Sequence, residues 1–454
     1  MDSKKEMGKN LTTGSVFKNI IYFSLPYLLS YFLQTLYGMA DLFIVGKFGT
    51  VADITAVSVG SQVMHMLTVI IVGLAMGTTV TISLCIGSDD KKRASAAVGN
   101  TATMFLGLSL VLTFVLIMAV KPIVSVMSTP KEAVAGTVGY LSVCFAGITF
   151  ITAYNIISSV FRGMGDSKSP MCFIAVSCFA NIILDLIFIG VFGLGPVGAA
   201  LGTTISQAVS VIFSFIVIKK RDFGLSLEKN DFVPQKSIMM QMLKIGVPVA
   251  LQDGFIQISF IVITVIANLR GLNDAAAVGI VEKIIGILFL VPSSMLSAVS
   301  ALAAQNVGAD KPDRARLTLR YGIYITASFG FVVALVLQFF SPQVVALFKD
   351  DPMVVVMGGQ YLKSYCIDCM IAGIHFCFSG YFCAIEKSGI SFLHNILSIV
   401  FVRVPGAYFA SKIFKTTLYP MGLAAPAGSL LSVVVCFVAY KIITKKSDLK
   451  PQKV

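Results

Sequence analysis

The sequence predicts an all-α integral membrane protein with twelve transmembrane helices, arranged as two pseudo-symmetric six-helix lobes related as parallel repeats. Three observations carry this expectation. Hydrophobic residues make up 56% of the chain against 13% charged, with a mean hydropathy of +0.88. That leaves too little charge to solvate the surface of a water-soluble protein of 454 residues. The apolar residues gather in runs long enough to cross a bilayer, which takes about 20 residues. The second half of the chain also repeats the first at a nearly constant offset.

In order, the apolar runs lie at 17–40, 54–83, 94–120, 134–160, 170–192, 196–218, 238–268, 276–305, 316–340, 354–384, 390–411 and 418–442. The opening stretch MDSKKEMGKN is polar, and the run behind it is too long for a signal-peptide core, so it is expected to stay uncleaved. Trp is absent, which leaves Tyr and Phe to form any interfacial belt. The nine cysteines mostly lie within apolar runs and read as small packing residues rather than a disulfide framework. Cys366-Ile-Asp-Cys369 with His375 lacks the second Cys pair of a metal motif.

The net charge of +13 does not mark a nucleic-acid patch, because the basic residues sort by loop. With the N-terminus inside, Lys91, Lys92, Arg93, Lys168, Lys219, Lys220, Arg221, Lys311, Arg314, Lys387 and the basic tail all fall on the cytoplasmic side. The opposite loops hold few, among them Lys47, Lys121, Lys131, Arg270 and Lys349. This asymmetry is the positive-inside pattern. It predicts a multi-pass protein of a prokaryotic plasma (inner) membrane with both termini cytoplasmic.

The repeat has an offset of 221 to 224 residues. Pro26 matches Pro248, Gly49 matches Gly271, Gly87 to Arg93 matches Gly308 to Arg314, and Pro196-Val-Gly198 matches Pro420-Met-Gly422. Six spans per half put both halves in the same orientation, so the repeats are parallel. The predicted division is a first lobe over 1–218, a polar cytosolic linker over 219–237 and a second lobe over 238–454. Pro26 and Pro248 each remove a backbone donor inside a span and are candidate bending points.

Ionisable groups within the membrane are expensive and mark function by default. Gln34, Tyr37 and Asp41 share one face of the first span. Asn181 and Asp185 stand one turn apart in the fifth, Thr203 and Gln207 one turn apart in the sixth, and Tyr154 and Asn155 lie in the fourth. Asp185 is 17 residues beyond Lys168, roughly 25 Å along a helix, a depth at which it can meet Asp41. Two carboxylates in a poorly hydrated pocket repel, so the pair can take up a proton. With the oxygens of Asn181 and Thr203 it can instead hold Na⁺, which prefers hard oxygen ligands. Either ion then competes with a cationic substrate. The bland alternative is that Asp41 sits in water at a helix end and Asp185 meets a local donor.

The second half is furnished differently: Asp253 with Gln257 one turn on, Glu282 beside Lys283 as an expected ion pair, Asp368, His375, His394 and Arg403. The histidines read as hydrogen-bonded structural residues, and this half ranks second for ion coupling.

Pro26 with Asp41-Leu-Phe-Ile-Val-Gly46, Phe161-Arg162-Gly163-Met-Gly165-Asp166, Asn181…Asp185, Gly198-Ala-Ala-Leu-Gly202-Thr203 and Gln305-Asn306-Val-Gly308 occur in this order. The set resembles the multidrug and toxic compound extrusion (MATE) family over nearly the whole chain. The resemblance implies a secondary active transporter, not an enzyme, that exports amphipathic, often cationic compounds against Na⁺ or H⁺ by alternating access. It implies a cation site at Asp41, Asp185, Asn181 and Thr203, with Asn155 as a further member. Gln34, Tyr37, Tyr154, Gln207 and Gln257 are candidates for the substrate cavity. No cofactor beyond the coupling ion, no nucleic acid and no obligate protein partner are expected; the partners are small molecules and membrane lipids. The acids that some members carry in the second lobe fall here at Gln257 and Ala372, which favours the first lobe. Flipping of lipid-linked precursors, an activity of the same superfamily, is the alternative; an acidic first lobe favours cationic cargo over a diphosphate.

Overall fold

The computed structural model describes residues 10–220 and 224–448. Every regular element among them is helical. In chain order these are α1 (Val16–Phe48), α2 (Val51–Gly87), α3 (Lys91–Val126), α4 (Lys131–Ala146), α5 (Ile148–Gly163), α6 (Lys168–Asp185), α7 (Gly195–Lys220), α8 (Lys236–Asn268), α9 (Leu272–Leu288), α10 (Leu290–Gly308), α11 (Pro312–Ala346), α12 (Pro352–Tyr365), α13 (Asp368–Ala384), α14 (Ser388–Ser398), α15 (Val404–Ile413), α16 (Tyr419–Gly422) and α17 (Ala424–Asp448). Ten stretches are long and apolar enough to cross a membrane, and counting each bent pair as one span brings the number to 12. The fourth and tenth spans are these pairs. Lys131–Ala146 meets Ile148–Gly163 at 50°, and Pro352–Tyr365 meets Asp368–Ala384 at 41°. Sequence periodicity shows neither bend, because the apolar run continues through both.

Helix starts follow local chemistry. Thr50 and Asp53 form a capping box at α2. Asp90 caps α3 through the backbone of Arg93, and Asp351 caps α12 with Pro352 in the first turn. Helix α1 runs unbroken through Pro26 and α8 through Pro248. Beside the first proline, Ser30 Oγ donates to the Pro26 carbonyl at 2.8 Å, a back-bond that favours bending.

The repeat is written in the backbone turns. Asp90 N–H donates to Cys85 C=O and Lys311 N–H to Asn306 C=O. Asp166 N–H likewise donates to Phe161 C=O, and Lys387 N–H to Phe382 C=O. Each turn closes a helix with a left-handed residue at the same place: Asp89, Asp310, Gly165 and Glu386. The loop Phe382–Lys387 therefore has the same turn as Phe161–Asp166, with Glu386 in the left-handed conformation that Gly165 adopts in the first half.

The chain divides into two compact units. One comprises 10–14, 21–220, 224–250 and 305–311; the other comprises 15–20, 251–304 and 312–448. In the linker stretch, Arg221 to Phe223 lie outside the described residues. The following segment is fastened to α3: Asn100 Nδ2 donates to the carbonyls of Asp231 and Val233 at 3.0 and 3.2 Å. Gln235 N–H returns a bond to Asn100 Oδ1 at 2.6 Å. In the second unit Arg270 pairs with Asp274 at 2.6 Å and donates to the carbonyls of Ser411, Phe414, Lys415 and Thr417. Its side chain is only 7% exposed, so Arg270→Ala strands a buried carboxylate and four acceptors at once. The expected result is a loss of about 3 kcal/mol, read as a lower melting temperature in detergent.

Candidate functional site

The first unit brings α1, α4, α6 and α7 together around two carboxylates. Asp41 lies within α1, which continues to Phe48, and is 4% exposed. It is neither at the end of its helix nor in water. Asp185 is the last α-helical residue of α6 and fully buried, and a π-helical turn, Leu186–Val191, begins immediately after it. Such turns interrupt helices often at functional positions. Asp41 faces Asp185, Asn181 and Thr203. Thr203 Oγ1 donates to Asp41 Oδ2 at 3.3 Å. Tyr37, one turn before Asp41, borders Asp41, Thr203 and Cys144.

Few of these polar atoms are satisfied. Asp41 Oδ1, both oxygens of Asp185 and both amide atoms of Asn181 are buried without a hydrogen-bond partner. Buried polar atoms in native proteins are normally paired, so a cluster of unpaired ones calls for an occupant. No basic side chain forms an ion pair with either carboxylate among the described residues. The oxygens are carboxylate, amide and hydroxyl, a hard set suited to a proton or a small alkali cation and ill suited to a soft metal. The oxygens of Asp41, Asp185, Asn181 and Thr203 together would suit a proton or a small alkali cation.

The other predicted residues differ in their contacts. Asn155 is buried, but its amide nitrogen donates to Ile151 C=O of its own helix at 2.8 Å. Tyr154 neighbours Ser158, Arg162 and Tyr27 rather than the carboxylates, and Arg162 stacks on the Tyr27 ring at 3.9 Å. Gln207 is buried with an unpartnered Oε1, and Gln34 is half-buried. Gln257 belongs to the second unit.

Three first-unit residues escaped sequence reasoning. Tyr140 and Cys144 on α4 border Asp41; their spacing of one turn was a signal, masked by an otherwise apolar run. Gly202 packs its backbone against Asp185, and a Cβ there would collide with Oδ1. The Gly198-x-x-x-Gly202 spacing, typical of close helix contacts, pointed to it.

In the second unit Glu282 does not pair with Lys283 as expected from adjacency. Neighbouring helix positions point about 100° apart, and Glu282 Oε2 instead accepts from Thr264 Oγ1 at 3.1 Å. Arg403 Nη2 donates to Asp368 Oδ2 and to Tyr365 Oη, both at 3.1 Å. Asp253 accepts weakly from Gln252 at 3.5 Å, not from Gln257. His394 Nε2 and Ser379 Oγ are 2.9 Å apart, and the rings of His375 and His394 lie 5.4 Å from one another.

The MatE family profile matches residues 26–187 and again 248–409, the same repeat that the prolines mark. The chain is similar to "Probable multidrug resistance protein YoeA" of Bacillus subtilis (strain 168), 26% identical over 445 residues covering 96% of each chain. It is similar to "Multidrug export protein MepA" of Staphylococcus aureus (strain MRSA252), 26% identical over 403 residues, 88% of this chain and 89% of that one. Among solved structures, "Outward-facing conformation of a multidrug resistance MATE family transporter of the MOP superfamily" superposes with a TM-score of 0.90 at 23% identity. "Crystal structure of MATE in the bent conformation" does so with 0.90 at 24%. Each covers 98% of this chain and 100% of the other. With its profile matched in both halves of the chain, the protein belongs to the MATE family, a family of multi-pass membrane transporters and not of enzymes.

Proposed function

We propose that the protein is a secondary active exporter that antiports amphipathic organic cations against Na⁺ or H⁺ bound between Asp41 and Asp185. The observation that carries this reading is the cluster of unsatisfied buried oxygens on these two carboxylates and on Asn181. Negative charge enclosed without a resident counter-ion needs a cation, and one small enough to exchange across the membrane links gradient to transport. The names of the relatives support a role in drug export. Thr203 and Asn181 complete the oxygen set, Tyr37 borders it, and Gly202 allows α6 and α7 to approach closely enough to close it. The protein works in a prokaryotic plasma membrane with both termini in the cytoplasm and needs no cofactor beyond the coupling ion.

The test is ethidium efflux from proteoliposomes under an imposed Na⁺ gradient and, separately, under an imposed pH gradient. Efflux driven by one of them names the ion. No gradient-driven efflux of any cationic dye would overturn the reading and turn attention to flipping of lipid-linked sugars. The same assay checks the helix contact. Gly202→Ala is expected to abolish efflux by pushing a methyl onto Asp185, whereas Gly38→Ala, at a position with open space around it, leaves efflux intact.

A further inference from the structure

The second unit encloses a group of charged side chains that the proposed exchange does not use. Arg403 ends a π-helical turn, Ile399–Arg403, that follows α14 much as Leu186–Val191 follows α6 in the first repeat. Where Asp185, facing Asp41, precedes the first π turn with no ion-paired base among the described residues, the second π turn ends on a guanidinium. Arg403 is 9% exposed and fully buried Asp368 accepts from it at 3.1 Å. Glu282 feels the same charge while accepting from Thr264. Tyr361, Tyr365 and His375 are its other titratable neighbours. Beside the guanidinium lies a cavity of about 40 Å³ lined by Phe260, His375, Asn395, Ser398, Arg403 and Ser429, among others. Among its lining residues, Arg403 Nε and His375 Nδ1 have no hydrogen-bond partner; outside the lining, Asp368 Oδ1 and Glu282 Oε1 are also buried and unpartnered. Carboxylate oxygens able to face a cation are thus present on Asp368 and Glu282 near the guanidinium, and the cavity beside it has room for a few waters.

We propose that Arg403 is the resident cation of the second unit: its guanidinium occupies the charge slot that an exchangeable ion fills beside Asp41 and Asp185, so the wild-type chain couples through the first unit alone. The inference rests on the proposed reading of that pair only for the word "alone"; the masking of Asp368 by Arg403 is independent of it. A tethered cation cannot leave, so the second unit keeps its charge balance through the transport cycle. Removing it creates a vacant cation site.

The experiment counts cations on purified protein. Bound ²²Na⁺ per chain is measured at equilibrium, and protonated carboxyl groups are read in parallel from their infrared C=O stretch. Arg403→Gln is expected to gain, relative to wild type, either one bound Na⁺ per chain or one carboxylic-acid band. Adding Asp368→Asn removes that gain, and Arg403→Lys, which retains a charge, shows none. No gain of either kind in Arg403→Gln, or an equal gain in Arg403→Lys, overturns the proposal. Asp185→Asn run on each background subtracts the first unit's share, so failure at Asp41–Asp185 leaves the Arg403 comparison readable. Should Arg403→Gln fail to fold by itself, the same logic requires Asp368→Asn to restore the folded yield. A double variant as poor as the single one also overturns the proposal.

Discussion

Asp185→Asn is expected to leave a folded, membrane-inserted protein whose gradient-driven ethidium efflux falls by about two orders of magnitude, the scale of a lost coupling free energy. The substitution preserves the shape of the side chain and removes its charge. Asp185 is fully buried, neither oxygen has a hydrogen-bond partner, and Gly202 packs against Oδ1. The isosteric change keeps the packing against Gly202, so stability is expected to change little and any lost transport to follow from the lost charge. Asp41→Asn is expected to act in the same direction, with a smaller effect because Thr203 still has an oxygen to donate to. Melting curves indistinguishable from wild type together with lost efflux would confirm the separation of stability from coupling. Full efflux in the double variant would refute the assignment.

Asp368→Ala is expected to have the largest effect on stability. It leaves the Arg403 guanidinium buried with Tyr365 Oη as its remaining hydrogen-bond acceptor among the described residues, and breaking a buried pair from one side costs about 3–5 kcal/mol. The readout is the yield of monodisperse protein and the melting temperature in detergent. Removing both members, as Asp368→Ala with Arg403→Met, should recover most of the loss, because a well-packed apolar pair of similar volume replaces two desolvated charges. A single variant as stable as wild type would show that Arg403 does not depend on Asp368.

The membrane class, the repeat and most of the first-unit site could be read from residue order, for physical reasons. Bilayer thickness dictates the length of apolar runs, and a carboxylate in the middle of one, such as Asp185, has no surface to reach. Helical spacing put Asn181 and Asp185 on one face without knowledge of any neighbour. Contacts set by tertiary packing were not legible. The Gly198-x-x-x-Gly202 and Tyr140–Cys144 spacings mark helix faces, but that these faces meet Asp185 and Asp41 depends on how α1, α4, α6 and α7 pack. Adjacency in sequence misled at Glu282 and Lys283, whose side chains leave the helix in different directions, and Thr264 on α8 is what Glu282 finds. The bends at Gly147 and near Ile367 were hidden because an apolar run reads the same whether its helix is straight or broken.

In the proposed exchange one carboxylate pair serves two cations in alternation. The most direct measurement is equilibrium binding of ethidium to the purified protein, titrated against Na⁺ at fixed pH and against pH without Na⁺. The apparent affinity for ethidium is expected to weaken as the coupling ion is raised in the wild type, and to be insensitive to it in Asp41→Asn/Asp185→Asn. The same ion dependence in wild type and double variant would contradict it, and would place the competition elsewhere in the molecule.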